Sequence, residues 1–137
     1  MKTASFVLFF LIVVFSCNSI KVTSIQKKSS VSIIAKWKLI ELNAKKIDKE
    51  TYYVQFRSDQ NYSAYAGCNN LGGDFKLNGN QIIFGIGIST EMYCTNENSD
   101  RELAGVLSGE KTYEINKFDL LIKNYENIVI AKFVLTK

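Results

Sequence analysis

No histidine and no proline occur among the 137 residues of this chain. Without histidine there can be no Ser-His-Asp triad and no imidazole-based metal centre. A cysteine nucleophile would also lack the imidazole that commonly activates it. Without proline, every backbone position keeps its N–H, so no segment is barred from a central strand. Cysteine is scarce as well, at three, and there is one tryptophan. The formal charge of +4 argues only weakly for an anionic partner. No basic run interleaves with aromatics, so nucleic acid is not an expected partner.

Long apolar runs are also lacking. The longest, Phe6–Phe15, has ten residues, whereas a permanent membrane span needs about 20. After Lys2, it reads as the apolar region of a secretory signal peptide. Val14-Phe15-Ser16-Cys17 resembles a bacterial lipobox. That resemblance implies cleavage after Ser16, attachment of palmitate-type acyl chains at Cys17, and membrane anchoring through that residue. More than one chain is needed for stable anchoring, because each buried methylene contributes only about 0.8 kcal/mol. Residues 1–16 are thus the expected signal peptide, and 121 residues remain. Asn18 stands where enteric lipoproteins retained at the inner membrane carry aspartate, so the expected address is the cell envelope, at the outer membrane.

Residues 17–32 read as a lipidated, Ser- and Lys-rich tether. Its Lys27-Lys28 pair suits solvent or anionic headgroups. The folded domain is expected over 33–137. It has ample material for a core, since the chain is 47% hydrophobic and 12% aromatic. The pattern is mostly of period two, with runs at 36–42, 52–56, 61–66, 74–77, 81–84, 112–115, 119–123 and 127–135. Asn78-Gly79-Asn80 marks a hairpin, because Asn-Gly accepts the positive φ of tight turns. Many short strands with frequent turns predict a mainly β, small, partly open antiparallel β-barrel of about seven or eight strands. One helix is predicted near 99–108. Ser99 and Glu102 form its expected capping box, Leu103, Val106 and Leu107 its buried face, and Gly109 its stop.

Gly67-Cys68-Asn69-Asn70-Leu71-Gly72-Gly73-Asp74-Phe75 resembles the GCNxxxGxY signature of the META-domain (HslJ-like) family. Gly67, Asn69 and Gly73 match, and Phe75 stands where Tyr is common. Thr90-Glu91-Met92-Tyr93-Cys94 matches the family's TxMxC, with Thr90 and Met92 in place. Glu102 to Leu107 matches the following E-x4-L, and Trp37 fits the first-strand tryptophan. The resemblance implies a small barrel with one helix and an envelope protein. It brings associations with heat shock, drug resistance or virulence, and similar barrels serve as lipid-binding secretion pilotins.

With Cys17 assigned to lipid, Cys68 and Cys94 form an even pair in an oxidising compartment. They read either as a disulfide, worth about 3–4 kcal/mol for a loop of this size, or as two packed thiols. The Gly67–Gly73 stretch lacks the lysine, hydroxyl and following helix of a phosphate loop. Its glycines read as devices of backbone geometry. Glu97, Asp100 and Glu102 crowd a helix start, where carboxylates favour the dipole. Met92 reads as core filling, with a binding role as the alternative, and Gly85 and Gly87 as a bend or close approach. No catalytic residue, cofactor or metal is expected. The expected function is a non-enzymatic, monomeric envelope lipoprotein with a binding or stress-protection role and a possible envelope protein partner. The alternative is a barrel that binds a small apolar ligand or lipid.

Overall fold

The computed structural model describes residues 31–93 and 98–137. Cys17, the expected signal peptide, nearly all of the expected tether, Cys94 and Glu97 lie outside the described residues. Among the described residues ten strands and one helix form: β1 (Lys36–Leu42), β2 (Lys45–Lys46), β3 (Tyr53–Phe56), β4 (Asn61–Tyr65), β5 (Asn70–Asn78), β6 (Gln81–Phe84), β7 (Ile88–Ser89), α1 (Ser99–Val106), β8 (Gly109–Asn116), β9 (Asp119–Lys123) and β10 (Val129–Leu135). All pairings are antiparallel.

Eight strands pair in the order β1-β3-β4-β5-β6-β8-β9-β10, and β10 pairs back onto β1. The barrel is therefore closed, where the sequence suggests a partly open one. Closure leaves no free edge in the ring, which removes a template for unwanted strand pairing. Two short strands lie off the ring, β2 against β1 and β7 against β5.

Period two explains most of the interior. Trp37 and Leu39, Val54 and Phe56, Tyr62 and Ala64, Ile82 and Phe84, and Leu120 and Ile122 all point inward and are buried. The next inward residue of β1 is Leu42 rather than residue 41. The register against β10 shifts between Leu39 and Glu41, and such a bulge resets the alternation while bending the strand. A second shift lies between Val129 and Ala131. Paired bulges of this kind supply the curvature that a closed barrel requires.

The interior is filled. Trp37, Phe56, Phe75 and Phe133 are each at most 1% exposed. Phe56 packs on Phe75 with ring centroids 5.1 Å apart and planes at 74°, an edge-to-face arrangement worth about 0.5–1.5 kcal/mol beyond burial. Trp37 Nε1 donates to the Ile33 carbonyl at 2.8 Å. Ile33 is itself buried, so the entering chain becomes part of the core.

Helix α1 places Leu103, Val106 and the following Leu107 in the core. It lies at the end of the barrel where β1 finishes, because Asn43 and Lys45 just beyond β1 bond Glu102 of the helix. The chain enters the barrel at the other end of β1.

The expected capping box is not made. Asn98 is the N-cap, without a side-chain capping bond, and Glu102 turns outward to Asn43 and Lys45. Two opposed donors, one of them cationic, outcompete a single backbone N–H. The helix ends before Gly109. Leu107 is the C-cap, and Gly109, at φ +61°, starts β8.

Candidate functional site

Three separated pieces of sequence meet at the helix-capped end of the barrel. The first is the turn from β4 to β5. Gly67 has φ +120° there, a region that strongly favours glycine. The Tyr65 hydroxyl donates to the Gly67 carbonyl at 2.8 Å and braces the turn. The second is the segment after β7, and the third is the first turn of α1.

Asn69 joins all three. Its Nδ2 donates to Asp100 Oδ2 at 2.7 Å. Its Oδ1 accepts from the Met92 backbone N–H at 2.8 Å and from Thr90 Oγ1 at 3.0 Å. Thr90 Oγ1 in turn accepts from the Asn70 N–H at 3.1 Å. The Thr90 N–H also donates to the Asn70 carbonyl at 3.1 Å. The side-chain amide thus works as both donor and acceptor, which neither Asp nor Leu at this position could do. Asp100 is only 5% exposed. Its carboxylate is held by a specific donor rather than merely sitting near the helix dipole.

The residues singled out in the sequence fall into two groups. Gly67, Asn69, Thr90 and the Met92 backbone build the joint directly. The others pack around it or elsewhere in the core. Gly73 lies opposite Tyr62 in the β4–β5 ladder, and a Cβ there would come within 2.9 Å of the Tyr62 ring. Tyr62 is buried, and its hydroxyl donates to the Leu107 carbonyl at 3.2 Å. Burial, helped by the nearby Asp74 charge, raises its pKa above the ordinary tyrosine value. Glu102 has its pKa lowered, first by the Asn43 hydrogen bond and then by Lys45. Phe75 and Trp37 are core residues, Trp37 with its indole N–H bonded to the Ile33 carbonyl.

Met92 corrects the expectation of core filling. Its side chain is 61% exposed, and only its backbone serves the joint. Ile86, Ile88 and Tyr93 are also exposed nearby, at 90%, 74% and 94%. Beside them runs an open groove of about 470 Å³, lined by Asn69, Leu71, Thr90, Met92, Tyr93 and Arg101 among others. A smaller notch of about 210 Å³ separates β7 from α1, lined by Tyr62, Leu71, Ile88, Ala104 and Leu107. The links from Asn69 to Asp100 and from Glu102 to Asn43 escaped sequence reading. Both join residues at least 31 positions apart, and no local pattern marks such pairs.

Cys68 Sγ lies 4.0 Å from the Met92 carbonyl oxygen. Its expected partner, Cys94, is outside the described residues. Among the described residues no group of three or more acidic or thiol side chains is placed to hold a metal ion. No described helix is long and apolar enough to cross a membrane.

Comparison with known proteins bears on the same residues. Similar solved structures include an NMR structure of a protein at 18% identity and TM-score 0.62, covering 77% of this chain and 95% of the other. Another, from Burkholderia xenovorans, has 14% identity and TM-score 0.59, covering 76% and 83%. A DUF4847 family protein from Bacteroides vulgatus has 9% identity and TM-score 0.56, covering 77% and 94%. At these identities the likeness concerns the fold. No curated protein matches the chain. The META domain family model matches residues 31–135, a span that takes in the whole barrel and the Asn69 joint, and the chain therefore belongs to the META-domain family.

Proposed function

We propose that this protein is a lipid-anchored envelope protein that acts without catalysis, by binding a partner protein at the helix-capped end of its barrel. The observation that carries the reading is the exposure of Ile86, Ile88, Met92 and Tyr93, along the segment whose Thr90 and Met92 the Asn69 joint holds. Soluble monomers seldom leave such residues clustered on one surface unless something binds there. The chain enters the domain at the opposite end. An anchor at Cys17 would therefore leave the capped end free to point away from the membrane. Pairing of Cys68 with Cys94 would hold the same end together.

A photo-reactive residue at Tyr93, in the native envelope, tests the binding surface. The expected product is a discrete cross-linked protein that does not form from the same probe at exposed Phe118. Equal labelling from both positions would sink the proposal. Anchoring is tested by metabolic labelling with an alkyne fatty acid. Label is expected on the wild type and absent from Cys17→Ser; equal label on both refutes it.

The alternative, binding of a small apolar ligand, finds support in the notch beside Ile88 rather than in the barrel interior, which side chains fill. Lipid co-extracted in stoichiometric amount with the purified protein, with no cross-linked partner, would favour it.

A further inference from the structure

The outer wall of the barrel carries a second groove, which touches the family motif only through the Tyr65 hydroxyl bond to the Gly67 carbonyl. Outward residues of three strands stand in one row there. Lys38 lies opposite Tyr53, and Tyr53 lies opposite Tyr65. Lys36 shares their face two residues earlier on β1. Thr136 closes one side, its N–H and hydroxyl both donating to the Lys36 carbonyl. The groove measures about 550 Å³ and is lined by Lys36, Lys38, Glu50, Tyr53, Tyr65 and Lys137 among others. That lies within the range of small-ligand sites, about 300–1,000 Å³.

Its chemistry is mixed. The Tyr65 ring is held in place. The Tyr65 hydroxyl is engaged by the Gly67 carbonyl, and the ring stands edge-on to Tyr52 at 6.2 Å. Lys36 Nζ sits 4.1 Å from the Tyr53 ring centroid, an ammonium parked on a π-face until a better partner arrives. Lys38 pairs with Glu50, whose side chain is 84% exposed. The Lys38 side chain is only 22% exposed, so its stem packs on the wall while the exposed Glu50 carboxylate is the partner free to swing aside.

The Tyr65 ring, and the Tyr53 face once Lys36 moves off it, suit the flat C–H face of a sugar. Ammonium, carboxylate and threonine hydroxyl groups at the rim suit its hydroxyls. The balance of charge selects further. Residues 31–137 hold thirteen basic and thirteen acidic side chains, so the domain has no general attraction for anions. In this groove three lysines face one glutamate. We propose that the groove binds an anionic saccharide, a sugar bearing a carboxylate or a phosphate.

The test is calorimetric titration of the full chain in detergent with trigalacturonate, glucose 6-phosphate, neutral maltotriose, inorganic phosphate and polyglutamate. At least one of the two anionic sugars is expected to bind saturably, and at least about tenfold more tightly than maltotriose. Lys36→Gln and Tyr53→Ala should each weaken that binding by about tenfold at unchanged melting temperature. Tyr125→Ala, at an exposed tyrosine elsewhere, should not. If Tyr53→Ala fails to fold, Lys36→Gln, at an exposed position, decides. The proposal is overturned if neither anionic sugar binds, if affinity survives the folded variants, or if phosphate or polyglutamate binds as tightly as the sugars. The last outcome would mark a plain cationic patch or an acidic-peptide site.

Discussion

The side-chain amide of Asn69 donates to the buried carboxylate of Asp100 at 2.7 Å while its carbonyl accepts the backbone N–H of Met92 at 2.8 Å. One small side chain thereby ties the β4–β5 turn to the start of the helix and to the segment after β7. Asn69→Ala should cost about 2–3 kcal/mol, since it leaves a buried carboxylate without its donor. Asn69→Asp should be worse near neutral pH, because two carboxylates would then face each other. The pair Asn69→Asp with Asp100→Asn should recover part of that loss. Urea denaturation of the four proteins checks the order. Equal stability of Asn69→Ala and wild type would remove Asn69 from its place as the joint.

Cys68 and Cys94 are expected to be bonded in protein taken from the envelope. Intact mass after alkylation, with and without prior reduction, reads the state directly. Two added labels only after reduction is the expected result, and two labels without reduction excludes the bond. Cys68→Ser should lower stability by about 3–4 kcal/mol on loop entropy.

Gly73→Ala places a methyl group within 2.9 Å of the Tyr62 ring. That ring is buried and its hydroxyl is anchored to Leu107, so it has little room to give. A loss of about 1–3 kcal/mol is expected, as in other overpacked cores. Gly79→Ala is a useful contrast. Its Cβ would meet nothing within 4 Å, and its cost should come only from the positive φ of the turn, about 1 kcal/mol.

Glu102 links stability to pH. Its pKa is lowered in the folded state by Asn43 and Lys45. A carboxyl with a depressed folded pKa stabilises the fold above its unfolded pKa, and that contribution is lost as pH falls through the folded value. The difference in melting temperature between wild type and Glu102→Gln should therefore shrink on going from about pH 6 to about pH 3. A difference independent of pH would show that the carboxylate's charge is irrelevant to the contact.

Much of the fold is written in local pattern. Alternation along 36–39, 53–56, 61–65 and 119–123 reflects one wet and one dry face, and the strands form at those positions. Asn78-Gly79 turns because glycine accepts φ +60°. The helix forms around Leu103, Val106 and Leu107 because only a 3.6-residue period brings them to one side. Elsewhere the pattern is silent. The bulge after Leu39 breaks alternation, and its position depends on how β1 meets β10. Strands β2 and β7 are two residues each, too short to print a period. Ser99 and Glu102 fit a capping box locally, yet Glu102 finds stronger partners in residues 59 and 57 positions away.

The chain on its own therefore determined its class, its helix and its family motif. These depend on neighbours in sequence, where spacing alone decides which face a side chain takes. Tertiary structure decided that the barrel closes, that Met92 faces outward, that Asn69 reaches Asp100, and that Lys36, Tyr53 and Tyr65 share one groove. Each of those depends on register between strands, set by burial summed over the whole ring rather than by any short stretch of residues.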